Sequence, residues 1–142
     1  MNQQVIETTS TEETQRVAKN LASSMNGGEA ILLYGNLGAG KTTFMQGFAQ
    51  GLGIQSRVTS PTFIIMRKYE GAKTLYHIDL YRTESNADLE GIGMQEILED
   101  KNAVVAIEWP EKLGSFLPEK RIEIRLEPIS ENERKIEITY VE

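Results

Sequence analysis

The chain has 142 residues, 39% hydrophobic and 25% charged, with no cysteine; this fits one domain (residues 1–142) with a real core and excludes disulfides and cysteine-held metals. A formal charge of −6 argues against tight binding to a nucleic-acid backbone, whose affinity grows with lysine and arginine neutralisation, so any nucleic-acid role is expected to run through a partner. No apolar run approaches the ~20 residues of a membrane span, and the start MNQQVIETTS lacks a basic, then apolar, secretory pattern, so a cytoplasmic protein without a membrane partner is expected.

Gln4–Thr8 reads as a short edge strand. Ser10 and Glu13 form an S-x-x-E capping box. Val17, Ala18, Leu21, Ala22 and Met25 then share one helical face, stopped by Gly27 and Gly28. Ala30–Tyr34 reads as a fully buried strand of the kind found at the centre of a parallel sheet. Phe44, Met45, Phe48 and Leu52 give a second amphipathic helix, closed by Gly51 and Gly53. Val58–Phe63 is a polar, proline-containing connection. Phe63–Tyr69 and Lys73–Asp79 read as strands of a hairpin around Glu70 and Gly71. Arg82–Asp100 is rich in acids and holds one or two short helices. Ala103–Ile107 is a second buried strand, and Trp109–Pro118 a loop with at most one helical turn. Ile122, Ile124 and Leu126, then Ile136, Ile138 and Tyr140, alternate with polar residues around the turn Ser130–Glu133, a hairpin buried on one face.

Between the first buried strand and the second helix stands YGNLGAGKTTF, Tyr34–Phe44. Gly35, Asn36, Leu37, Gly38, Ala39, Gly40, Lys41 and Thr42 fit G-x-x-x-x-G-K-[ST] at every fixed position. Chance yields this pattern in roughly one chain of this length in two hundred, and the strand-to-helix context is the one the motif requires. Glycines let successive amides turn inward as an anion nest, and the helix start adds its positive end. Lys41 would reach the β- and γ-phosphates; the Thr42 hydroxyl, with Thr43 beside it, would face Mg²⁺. The rival reading is a glycine-rich turn with an ordinary surface lysine. No Asn-Lys-x-Asp is present, which favours adenine over guanine and so ATP. The expected fold is α/β: a P-loop NTPase-like mixed β-sheet flanked by helices, with a C-terminal antiparallel hairpin.

Such a loop needs an acid to hold the metal or orient attacking water. Asp79 and Glu108 each close a strand, and ligands of open α/β sheets bind beyond the strands' carboxyl ends. Parallel neighbours would bring both acids to the phosphate site; otherwise they are solvated strand-end acids. Trp109, the only tryptophan, is an aromatic wall beside the site, a partner-contact anchor or a packing residue. His77, the only histidine, would neighbour Asp79 on one strand face, in a hydrogen-bonding role before a catalytic one. Thr59–Thr62, with Ser60 and Thr62, is either a switch-like loop reaching Mg²⁺ or the γ-phosphate, or a capped turn.

GNLGAGKTT, SPTF, HIDLYR and IEWPEK, in this order and spacing, resemble the bacterial TsaE family. The likeness runs from Thr11 to the last hairpin, and the pairing of His77–Arg82 with Glu108-Trp109-Pro110 makes it specific. The resemblance implies a compact P-loop ATPase acting with TsaB and TsaD, which install threonylcarbamoyl on the adenosine beside the anticodon of certain tRNAs; tRNA is met only through that complex. It implies Thr42 and Glu108 as metal ligands, Asp79 as a second important acid, and further nucleotide contacts at Thr11, Lys112 and Arg134. Lys41, Glu108 and Asp79 are then the expected catalytic set. Two rivals are a small-molecule kinase, for which 142 residues leave little room for a lid and acceptor pocket, and a nucleotide-dependent binding module.

Overall fold

The computed structural model describes residues 2–36, 38–58 and 66–142. Among them, strands β1 (Asn2–Thr8), β2 (Ala30–Tyr34), β3 (Met66–Tyr69), β4 (Thr74–Asp79), β5 (Ala103–Glu108), β6 (Arg121–Pro128) and β7 (Arg134–Val141) form one sheet in the order β1-β7-β6-β2-β5-β4-β3. β2 sits at the centre, parallel to both β5 and β6, and β4 runs parallel to β5. The outer pairs β1/β7, β6/β7 and β3/β4 are antiparallel. The sheet is therefore mixed, with the expected edge strand and C-terminal hairpin in place. Ala30–Leu33 and the whole of β5 are buried because parallel central strands have both faces covered.

Strand alternation sorts the core into two layers. Ile31, Leu33, Ala106 and Ile124 face helices α1 (Thr11–Ser23) and α2 (Lys41–Gly51). Leu32, Ile78, Val105 and Ile107 face the other way, where Leu89 of helix α3 (Asn86–Gly91), Met94 of helix α4 (Met94–Glu99) and Leu113 cover them.

Ser10 caps α1 as expected, its Oγ accepting from the Glu13 N–H at 3.1 Å. The reciprocal half of the box differs: the Glu13 carboxylate takes the Thr9 N–H and hydroxyl, one residue earlier. The extended Ser10 backbone places Thr9 within reach of the long side chain. The stretch after Trp109 also exceeds its expectation of one helical turn, forming 3₁₀ turns at Pro110–Lys112 and Gly114–Phe116. Pro110 starts the first with its fixed φ, and fully buried Leu113 anchors the junction. The strand expected from Phe63 is seen from Met66 onward; Phe63 lies outside the described residues.

Helices α1 and α2 touch through glycine. A Cβ on Gly47 would lie 2.2 Å from the Gln15 carbonyl oxygen, and one on Gly51 2.4 Å from that of Lys19. The constant offset means the helices run parallel in register. One turn back, that register sets Thr11 level with Thr43 at the start of α2. The contact cannot relax without parting two backbones, so Gly47→Ala is expected to lower unfolding free energy by about 1–3 kcal/mol, read from urea unfolding of the full chain.

Candidate functional site

Three strand ends meet beside one loop. Leu33 of β2 is level with Glu108 of β5, and Glu108 is level with Asp79 of β4. Partners across a parallel pair point to one face, so Asp79 and Glu108 share the α2 side of the sheet with Leu33. His77, two residues before Asp79, points the same way. The glycine loop leaves β2 at this edge and returns as α2.

Gly40 is the N-cap of α2 in left-handed geometry, φ 99°, and no side chain caps the helix. A left-handed turn here is open to glycine at little cost. Lys41, Thr42 and Thr43 begin the helix, where amides have no intrahelical acceptor. Thr42 is exposed and Thr43 half-buried. A Cβ at Gly38 would meet nothing within 4 Å, so the loop crest is open. Gly35 and Asn36 lead into it, and the Ala39 N–H closes a turn on the Asn36 carbonyl at 3.0 Å. Leu37 lies outside the described residues.

Arg134, at the start of β7, grips this loop from behind. Its Nε donates to the Ala39 carbonyl at 3.0 Å and a terminal nitrogen to the Gly38 carbonyl at 3.4 Å. The other terminal nitrogen donates to the Ser130, Glu131 and Glu133 carbonyls of the β6–β7 turn. In a trans peptide the N–H opposes the C=O. With the Ala39 carbonyl held toward Arg134, the Gly40 N–H points to the other side.

The charged centre is compact. Lys41 is 7% exposed and Glu108 4%. Lys41 Nζ stands 4.0 Å from Glu108 Oε1 and 4.4 Å from the centre of the Trp109 ring. A cation over an indole face is attracted by its quadrupole. Trp109 itself adopts left-handed backbone geometry, φ 57° and ψ 50°, which costs on the order of 1–3 kcal/mol for a non-glycine residue. It is the one non-glycine residue at positive φ among those described. The Tyr81 ring lies 4.9 Å from that of Trp109. His77 does not pair with its strand neighbour Asp79: its Nε2 is 2.6 Å from Glu108 Oε2.

Burial pushes the Asp79 carboxyl above its ordinary 3.8; the Tyr81 N–H on its oxygen pulls it back, Glu108 pushes it up again and Lys41 opposes that. An acid raised in the folded state binds more protons there than when unfolded. Its ionisation therefore costs stability, and the loss begins as pH rises through 3.8 and is complete above the raised folded value. Asp79→Asn keeps an acceptor for Tyr81 and removes the charge. At pH 7 its thermal midpoint is expected above that of the unaltered chain, with the gap closing below the ordinary carboxylate range. A constant gap across pH would contradict this.

Of the expected site residues, the fold assembles Gly35, Asn36, Gly38, Ala39, Gly40, Lys41, Thr42, Thr43, Asp79, Glu108, Trp109 and His77 at one sheet edge, with Thr11 abreast of Thr43 and Arg134 behind the loop. Lys112 is turned elsewhere: its ammonium binds the Tyr81 carbonyl and, at 3.3 Å, that of Thr83. Ser60 and Thr62, with the rest of Thr59–Thr62, lie outside the described residues. The sequence marks Tyr81 only as part of HIDLYR, with no site role of its own; its place two residues past Asp79, at a strand end, is the signal that could have found it. Among the described residues no cluster of three or more His, Asp or Glu could enclose a metal. An exposed hydroxyl at Thr42 and one carboxylate at Glu108 suit Mg²⁺, which keeps waters and phosphate oxygens as most of its ligands.

The family model for threonylcarbamoyl adenosine biosynthesis protein TsaE matches residues 8–136. The tRNA threonylcarbamoyladenosine biosynthesis protein TsaE of Bacillus subtilis is 41% identical over 135 residues, covering 94% of this chain and 84% of that protein. The protein of the same name from Treponema pallidum is 40% identical over 129 residues, covering 91% and 95%. Among solved structures, Bacillus subtilis YdiB superposes with a TM-score of 0.85 at 35% identity, covering 99% of this chain and 87% of that one.

Proposed function

The chain belongs to the TsaE family of threonylcarbamoyl adenosine biosynthesis proteins, and from that premise we propose that it is a Mg²⁺-dependent P-loop ATPase serving the complex that makes this tRNA modification. The observation that carries the reading is the meeting of Lys41 and Glu108, 4.0 Å apart, at the mouth of an uncapped helix that follows the glycine loop.

In this reading the loop amides and the α2 start bind the β- and γ-phosphates, and Lys41 leaves Glu108 to neutralise phosphate charge. Thr42 and Glu108 would hold magnesium, which would further neutralise the phosphate oxygens. Glu108, or Asp79 beside it where Glu108 holds the metal, orients a water and draws its proton as the water oxygen attacks the γ-phosphorus. The bond from that phosphorus to the β–γ bridging oxygen breaks, and ADP and inorganic phosphate leave. Trp109 walls the site and keeps Lys41 from solvent. Thr11, level with the α2 start, and Arg134, bound to the loop carbonyls, support the nucleotide from two sides. Slow turnover by the chain alone is expected, with TsaB and TsaD as the partners that draw on it and tRNA reached through them.

The test is phosphate release. Purified chain with ATP and Mg²⁺, and no acceptor molecule, is expected to form ADP and free phosphate, faster once TsaB and TsaD are added. A kinase would need an acceptor. No phosphate from the chain alone or with both partners would overturn the reading.

A further inference from the structure

We propose that His77 is a positioning residue for Glu108, holding one carboxylate oxygen so that the other is presented to the glycine loop. This rests on the ATPase reading above and assigns a role within that site. The two Glu108 oxygens have separate partners: Oε2 lies 2.6 Å from His77 Nε2, and Oε1 is the one 4.0 Å from Lys41 Nζ. A carboxylate can only accept, so the ring proton of this bond sits on Nε2.

Among the described residues the ring's one hydrogen bond is the one to Glu108. His77 is 1% exposed; Leu75 and Ala106 on its face are fully buried and apolar, and the polar residues of that face, Arg67 level with it on β3 and Asp79 two residues on, give it no hydrogen bond. Its Nδ1 is buried without a hydrogen-bond partner among the described residues. Leaving a buried polar atom unpaired costs about 1–3 kcal/mol, which an aliphatic side chain at this position would avoid. Packing alone therefore does not account for an imidazole here. The strand register explains how it reaches Glu108. His77 is level with Ala106, and Asp79 with Glu108. The small Ala106 side chain lets the ring lean along the strand, toward the acid two residues further on. Asp79, by contrast, spends an oxygen on the Tyr81 N–H at 2.9 Å. Glu108 is thereby fixed in one rotamer with a single oxygen free for metal or water, as outer partners of metal-binding carboxylates commonly do.

Two measurements on the full chain decide this. A ¹⁵N–¹H spectrum of the imidazole in the unaltered protein is expected to place the proton on Nε2, and it needs no nucleotide. In His77→Leu, turnover and the affinity for Mn²⁺ beside a non-hydrolysable ATP analogue, read by electron paramagnetic resonance, are each expected to fall about 10–100-fold, with metal-free ATP affinity unchanged. His77→Gln, whose amide nitrogen can stand where Nε2 does, is expected to recover most of both. A proton on Nδ1, unaltered turnover and Mn²⁺ affinity in His77→Leu, or equal loss in both variants overturns the proposal. If the unaltered chain releases no phosphate, the ATPase reading fails, while the spectrum and the Mn²⁺ affinities still decide His77.

Discussion

Lys41→Ala is expected to reduce ATP hydrolysis by at least about 10²–10³-fold, the usual loss when one preorganised charge-stabilising group is removed from a transferring phosphoryl site. The same ammonium serves the nucleotide-free protein. It is the cation nearest Glu108 and lies over Trp109. Removing it leaves Glu108, 4% exposed, with only the His77 N–H among the described residues, and an under-paired buried carboxylate is costly. Lost activity must therefore be separated from lost fold. Lys41→Met keeps most of the packing against Trp109 and isolates the charge. Lys41→Met with Glu108→Gln removes both members of the pair and is expected to regain thermal stability over Lys41→Met alone, without regaining hydrolysis. A folded Lys41→Met chain that hydrolyses ATP at the ordinary rate would refute the site assignment outright, because no other cation on the α2 side of the sheet approaches Glu108 among the described residues.

The parts of this molecule that could be read in advance are those set by local pattern. Ala30–Leu33 declared a central strand because covered faces demand an unbroken apolar run. The alternation of Ile122, Ile124 and Leu126 against Ile136 and Ile138 declared a hairpin with one buried face. The loop's course from β2 into α2 was legible because closely spaced glycines allow a tight turn from a buried strand into a helix. Asp79 and Glu108 could be placed together because each ends a strand of the same parallel block. What escaped depends on stagger and on long-range contact. Whether His77 serves Asp79 or Glu108 turns on which residue of β5 stands level with it, and that is invisible along one strand. Arg134 meets the Ala39 carbonyl across 95 residues, and nothing in the turn sequence foretells it. The left-handed backbone of Trp109 defies its residue type, and its ring both packs against the α3/α4 layer and lies under the Lys41 ammonium. Lys112 sits in a 3₁₀ turn whose start at Pro110 aims its side chain at the Tyr81 and Thr83 carbonyls. Sequence spacing alone could not tell that direction from one facing the loop.

Glu108→Gln separates holding ATP from using it. The amide can still accept from His77 and keeps the shape of the acid, but it cannot draw a proton from water and is a poor metal ligand. Turnover is expected to fall about 10²–10⁴-fold, the range for losing a positioned general base. ATP binding should survive, and tighten where metal is scarce, for two electrostatic reasons. A negative charge facing the triphosphate is gone, and Lys41 is released from a partner 4.0 Å away, so less attraction is lost when the ammonium turns to phosphate. Asp79 reports the same change. Glu108 is one of the groups pushing its carboxyl upward, so in Glu108→Gln the carboxyl should titrate lower, and the pH range over which Asp79 drains stability should narrow. Binding can be followed through Trp109, the only tryptophan, whose ring faces the moving ammonium. The decisive comparison is in cells that depend on this chain. If hydrolysis is what the complex draws on, Glu108→Gln binds ATP yet fails to support tRNA modification. If the variant binds ATP, hydrolyses none and supports modification in full, then occupancy alone is the signal, and the chain acts as a nucleotide-dependent binding module with the same fold and the same loop.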